Sequence, residues 1–298
     1  MLKLTLLTIA TTAVLALPAP ASAQNDNAGP QLPTPAKSGY APVNGVEVYY
    51  QVYGEGEPLV LLHGGFGAIE MFGPNIAALA ANHTVIGVDL QAHGRTLPFE
   101  RPMTFENLAS DIAGLIRYLG YDKADLVGYS TGGQVALRTA IDHPGVVDRL
   151  VLVSVPYARK GWHQFNLDGM AQIGEGSAEA MKQTPMYAMF AAVNPDPEVN
   201  WPKLHIQQGS LVNTDYDWSA AIPAIAAPTL LVVGDWDSVR ISHATEFFEM
   251  LGGGRQDAGW DGSGMNANRF AVLPSSTHYG IFMDPRFAEA VSDFLDQP

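Results

Sequence analysis

Six short, mainly apolar runs, each closed by a glycine or a polar turn, organise this chain. They are Leu59–Leu62, Thr84–Leu90, Ala124–Val127, Val147–Val153, Thr229–Val233 and Phe270–Leu273. Runs of this length with β-branched residues and no polar alternation predict strands buried on both faces, as in a parallel sheet. Val46–Val52 instead alternates apolar and polar side chains, which predicts an antiparallel strand with one face exposed. Between the runs the period lengthens. Thr131–Ile141 turns Val135, Ala136, Leu137 and Ala140 inward, and Thr104 is an N-cap candidate for a helix to Leu119, with Glu106 in its first turn. Strand and helix alternate in this way until about Tyr157, stop, and resume after about Trp218. The pattern predicts an α/β fold: a mostly parallel central sheet with helices on both faces.

The first residues follow different rules. Lys3 is a short basic start, Leu4–Leu17 an apolar stretch, and Ala21-Ser22-Ala23 a small-residue cleavage site before Gln24. The stretch is short for a membrane span and carries threonines, so residues 1–23 are expected to be a signal peptide. Residues 24–42, rich in Pro, Ala, Asn and Gly, are expected to be a flexible lead-in to a domain over 43–298. The chain has no cysteine, which excludes disulfides, thiolate metal sites and a cysteine-borne lipid anchor. The expected product is a periplasmic or secreted protein with no stable membrane association after cleavage.

Composition changes the picture in one respect. The 298 residues are 47% hydrophobic and 15% charged, enough for the core of one domain. The formal net charge is −14, and removing the leader takes Lys3 and no acid. An acidic surface without a basic run repels phosphate backbones, so nucleic acid is excluded as a partner. No Walker loop or dinucleotide-spaced glycine motif is present.

The chemistry gathers where the apolar runs end. Gly128-Tyr129-Ser130-Thr131-Gly132 places a serine between a predicted strand and a predicted helix. A serine on such a turn stands clear of the sheet beside the unpaired N–H groups that open the helix. Leu59–Leu62 runs into His63-Gly64-Gly65-Phe66-Gly67, whose glycines let backbone N–H groups approach a substrate oxygen. Thr229–Val233 ends in Gly234-Asp235-Trp236-Asp237, and Phe270–Leu273 leads through Pro274 to His278. Serine, acid and histidine follow three strands in that order.

With this order of motifs the chain resembles the α/β-hydrolase family, in its serine-nucleophile branch of esterases and cofactor-free haloperoxidases. The resemblance implies Ser130 as nucleophile, His278 as base and Asp237 as the acid behind it, with Asp237 favoured over Asp235 by the family's Gly-x-x-Asp turn. It implies an oxyanion hole from the N–H groups of Thr131 and Gly65, with Phe66 in reserve for the second. His63 would hold the oxyanion loop. His83, His143, His163, His205 and His243 read as surface, packing or cap residues, and Asp89, His93 and Arg95 as structural. The break at 157–218 matches the place where the family inserts a helical cap. Its Trp162, Met186 and Tyr187, with Trp236 outside it, are expected to line an apolar substrate pocket. A Gly- and Asn-rich stretch over 252–268 carries Asp257 and Asp261 without EF-hand spacing, and reads as a surface loop with no metal.

The implied activity is hydrolysis of a small, mainly apolar carboxylic ester or lactone through an acyl-enzyme, with no cofactor. The same residues suit a cofactor-free haloperoxidase or perhydrolase, a carbon–carbon bond hydrolase, and, from a different class, a non-catalytic ligand receptor. A dehalogenase fits less well, because that branch has aspartate where Ser130 stands.

Overall fold

The computed structural model describes residues 32–297, so the expected signal peptide and the start of the lead-in lie outside the described residues. Eight strands make one sheet: β1 (Lys37–Val43), β2 (Val46–Tyr53), β3 (Glu57–Leu62), β4 (His83–Val88), β5 (Ala124–Tyr129), β6 (Val147–Val153), β7 (Thr229–Trp236) and β8 (Arg269–Thr277). Their spatial order is β1-β2-β4-β3-β5-β6-β7-β8. β1 and β2 pair antiparallel, as do β2 and β4, and the pairs from β4 through β8 are parallel. β5 therefore lies inside the sheet, and all six of its residues are buried.

The helices are α1 (Asn75–Leu79), α2 (Phe105–Tyr118), α3 (Thr131–Asp142), α4 (Gln164–Met170), α5 (Ala178–Met181), α6 (Pro185–Val193), α7 (Pro197–Asn213), α8 (Ile241–Met250) and α9 (Pro285–Leu295). Thr104 caps α2, its side chain accepting from Asn107 N at 3.1 Å. One core layer joins Leu126, Leu150 and Leu152 of the sheet to Ile112 and Ile116 of α2, Val135 and Leu137 of α3 and Phe247 of α8. The opposite layer joins Leu59, Val127 and Val151 to Ile76 of α1 and Phe287 and Val291 of α9. Burial of both sheet faces explains why the inner parts of β3, β5 and β6, Leu59–Leu62, Leu126–Val127 and Leu150–Val153, read as apolar runs.

Regular structure begins inside the expected lead-in. β1 occupies Lys37–Val43 and pairs with β2 from Lys37↔Val52 to Val43↔Val46. The hairpin between them turns on Asn44 and Gly45 at φ 48° and 80°, the conformation that suits a two-residue turn between twisted strands. Ladder pairing overrides the disorder suggested by the local residues.

Between β6 and β7 the chain leaves the sheet to form α4–α7 and returns to its point of departure. Trp218 N donates to Tyr157 O at 3.0 Å and Arg159 N to Tyr216 O at 2.9 Å. A separate small core of Ala178, Phe190, Trp201 and Leu204 forms in this insert, with Phe66 and Ala92 reaching it from the body.

Buried histidines brace the turn after β4. His63 contacts Gly64 O through Nδ1 at 2.7 Å and accepts from Leu90 N through Nε2 at 3.1 Å, which assigns its proton to Nδ1. His93 packs 5.0 Å from it, centroid to centroid, and meets Gln91 O through Nδ1 at 2.8 Å. Burial, with the neighbouring His63 adding to it, lowers the His93 pKa from 6.5 to about 3. The unfolded chain therefore takes up this proton first as pH falls, and the contribution is whole above pH ~6.5 and lost toward ~3. At pH 5 the loss from this group is about 2 kcal/mol. In His93→Asn the fall in Tm between pH 7 and pH 5 should be smaller than in the parent by roughly 5 °C. Equal falls in thermal melts of the two proteins would refute the assignment.

Candidate active site

β5 and α3 meet in a turn with no spare volume. A Cβ on Gly128 would lie 2.5 Å from Gly132 O, and one on Gly132 would lie 2.3 Å from His63 O. Two glycines let the helix start against the strand and against the end of β3. Ser130, between them, adopts φ 51° and ψ −119°, a strained conformation for a side-chain-bearing residue that costs about 1–3 kcal/mol. Ser130 N donates to Val153 O at 2.9 Å, which fixes the turn to the end of β6.

His278 arrives from the loop after β8. Its Nε2 lies 3.1 Å from Ser130 Oγ and its Nδ1 lies 2.9 Å from Asp237 Oδ1. Tyr129, next to the serine, donates from its hydroxyl to His278 O at 2.7 Å. Asp237 follows β7 and is buried. Its Oδ2 accepts from Ser154 Oγ at 2.5 Å and Gly234 N at 3.0 Å, and its Oδ1 from Val239 N at 3.1 Å. Burial opposes ionisation, but the His278 hydrogen bond and charge, with the Ser154 and Gly234 donors, outweigh it and hold the carboxyl below its usual range. Asp235 lies outside this line. Its Oδ1 accepts from Ser276 N at 3.0 Å, which ties β7 to β8.

The His63–Gly67 loop lies beside the serine turn. Among the described residues, neither Gly65 N nor Thr131 N donates to a protein acceptor. The same holds for Phe66 N, whose residue has φ 59° and whose ring packs 5.6 Å from Trp201 and 4.6 Å from His205 in the insert. Asp89, His93 and Arg95 stand behind the loop. Asp89 accepts from Ile69 N and Arg95 N, both at 2.9 Å, and Arg95 also pairs with Glu70.

Serine, histidine, aspartate and the N–H groups of Gly65, Phe66 and Thr131, without acceptors among the described residues, thus lie at the carboxyl ends of β3, β5, β7 and β8. Residues 59–291 match the sequence pattern of the alpha/beta hydrolase family. The chain belongs to the alpha/beta hydrolase family. It is 39% identical over 118 residues to a soluble epoxide hydrolase of a Corynebacterium species, covering 39% of this chain and 40% of that one. It is 36% identical over 118 residues to the sn-1-specific diacylglycerol lipase ABHD11 of Danio rerio, covering 39% and 37%. The chain thus spans about two fifths of the length of the curated relatives it matches. Two solved hydrolase structures share the fold. The carboxylesterase CesB of Bacillus subtilis matches at TM-score 0.66 and 20% identity, over 87% of this chain and 91% of that one. The enol-lactonase of Burkholderia xenovorans LB400 matches at 0.65 and 22%, over 87% and 100%.

The four residues expected to line a pocket separate. Trp162 stands edge-on to His278, centroids 5.4 Å apart, and its indole N–H donates to Tyr216 Oη at 3.2 Å. Met186 packs against the small core that includes Phe66. Tyr187 does not reach the triad residues: its ring meets Trp201 at 5.3 Å and its hydroxyl bonds Glu198, so it packs the insert. Trp236 is 78% exposed, because β7 runs on past its neighbour β6, whose pairing ends at Val153↔Val232, and turns this ring to solvent. Ser154, Tyr129 and Gln208 were not singled out by the sequence. Ser154 had a signal, a polar residue just beyond the apolar run of β6, where the other site residues also fall. Gln208, on α7, had none.

Proposed function

We propose that this hydrolase cleaves a carboxylic ester or lactone through an acyl-enzyme on Ser130. The observation that carries this reading is the line Ser130 Oγ–His278 Nε2–Asp237, at 3.1 and 2.9 Å, beside N–H groups at Gly65, Phe66 and Thr131 without acceptors among the described residues. Ser130 Oγ attacks the carbonyl carbon as its proton passes to His278 Nε2. The His278 Nδ1–H bond to Asp237 holds the ring in the tautomer that can accept, and the carboxylate stabilises the imidazolium. The oxyanion forms against Thr131 N–H and Gly65 N–H. His278 then returns the proton to the departing alkoxide. Water attacks the acyl-enzyme through the same base, releasing the acid and restoring Ser130, so ester and water balance the reaction without a further reactant. Serine rather than aspartate at this turn favours acyl transfer over dehalogenation. Trp162 beside His278, with Met186 and Phe66 across the insert, supports an apolar substrate of modest size.

A fluorophosphonate probe and a series of 4-nitrophenyl esters of rising chain length test this reading. One equivalent of label on Ser130 and turnover of the short esters are expected. Labelling at another residue, or none, would overturn it. The intact mass of the labelled protein recovered outside the cytoplasm reads export in the same experiment, with Gln24 expected at the N-terminus.

A further inference from the structure

Gln208 comes from the cap yet touches both halves of the oxyanion site. It is 2% exposed, and its Nε2 lies 3.3 Å from Thr131 Oγ1. A Cβ on Gly65 would lie 2.5 Å from that nitrogen and 3.2 Å from Thr131 Oγ1. The carboxamide therefore covers the seam between the two turns whose N–H groups are free. Its other end is unmet: Oε1 is buried with no hydrogen-bond partner among the described residues. An unmet buried acceptor costs about 1–3 kcal/mol, which an apolar side chain of similar shape would avoid. One turn earlier on α7, His205 repeats the pattern. Phe66 and Trp201 enclose its ring, each 4.6 Å away, Nδ1 meets Ser177 Oγ at 2.7 Å, and Nε2 is buried without a partner. The α7 face toward the oxyanion loop thus carries two unmet polar atoms in an apolar setting.

We infer that Gln208 is a specificity-determining residue that accepts a hydrogen bond from a hydroxyl on the acyl group, so that the favoured substrates are esters of 2- or 3-hydroxy acids. This rests on the acyl-enzyme reading above. The alkoxy group must lie near His278 to receive its proton, whereas Gln208 contacts Thr131 and Gly65. Its reach therefore falls on the acyl side, one or two atoms from the carbonyl carbon. The terminal torsion of glutamine is broad, so a small rotation turns Oε1 toward a bound substrate without moving α7. Sites that hydrogen-bond a substrate hydroxyl discriminate strongly against its deoxy analogue, because the buried partner is then left unpaired.

The test compares 4-nitrophenyl butyrate with 4-nitrophenyl 3-hydroxybutyrate, and the propionate with the 2-hydroxypropionate. Each kcat/KM is divided by the ester's rate constant with hydroxide to remove intrinsic reactivity. The parent should favour the hydroxyacyl member of at least one pair by about tenfold or more. In the near-isosteric Gln208→Met that ratio should fall at least about tenfold, whatever happens to the separate rates. Equal use of both members by a parent that labels on Ser130 overturns the inference alone, and needs no variant. So does an undiminished ratio in a folded Gln208→Met protein. A parent that neither labels nor hydrolyses any ester removes the acyl-enzyme reading, and this inference with it.

Discussion

Ser130→Ala is expected to lower ester turnover by on the order of 10⁴- to 10⁶-fold while the melting temperature stays near that of the parent. The large effect follows from the position of Oγ, 3.1 Å from His278 Nε2, where the proposed mechanism has it form the acyl bond. The small structural effect follows from the backbone. Alanine meets the same strain at φ 51° as serine does, and Ser130 makes no side-chain cap bond to α3. The residual rate should come from the free N–H groups and from binding, which are untouched. Initial-rate assays beside thermal melts measure both effects. Turnover within about a hundredfold of the parent in a folded alanine variant would overturn the acyl-enzyme mechanism.

The second large effect separates two neighbouring acids. Asp237→Asn should lower kcat by about 10⁴-fold, and Asp235→Asn by less than about tenfold. Asp237 holds His278 Nδ1 with one oxygen and takes Ser154 and Gly234 on the other. An asparagine amide there can present N–H toward the ring, stabilising the tautomer whose Nε2 already bears a proton and cannot accept one from Ser130. It also removes the negative charge that balances the imidazolium. Asp235 bonds backbone at Ser276 and does not contact His278, so its neutral amide retains an oxygen for that bond. Comparable losses in the two variants, or a greater loss at Asp235, would reverse the assignment of the acid.

Much of this arrangement is legible in the sequence. β3, β5, β6 and β7 are buried on both faces, so their positions follow from apolar runs alone, and the polar residue that ends each run falls at the edge where the site lies. β1 escaped notice because its residues have a weak strand pattern, and it owes its conformation to pairing with β2. The Asn44-Gly45 turn was the available clue. The placement of the bulky side chains expected around the site is the least legible part. Trp162, Tyr187 and Trp236 are chemically alike, but one faces His278, one packs the insert and one faces solvent. That difference arises from where α4–α7 settle on the body, which no local periodicity encodes. Gln208 is invisible for the same reason: its meaning lies in a contact with Thr131 across 77 positions of chain.

The insert returns to the point it leaves, at Tyr157 and Trp218, and this has an evolutionary consequence. A segment anchored at adjacent residues behaves as a cassette. Doubling the length of a flexible loop between fixed ends costs only about 0.6 kcal/mol, so lineages can lengthen, shorten or exchange the cassette with little penalty to the sheet beneath. Gln208 makes the exchange chemically consequential. Because α7 delivers an amide to the seam between Gly65 and Thr131, a new cassette would, under the proposed mechanism, replace a polar neighbour of the reacting carbonyl. Divergence by insert exchange would then move in jumps, each cassette carrying its own hydrogen-bonding partner for the acyl chain, instead of drifting by one methylene of pocket volume at a time.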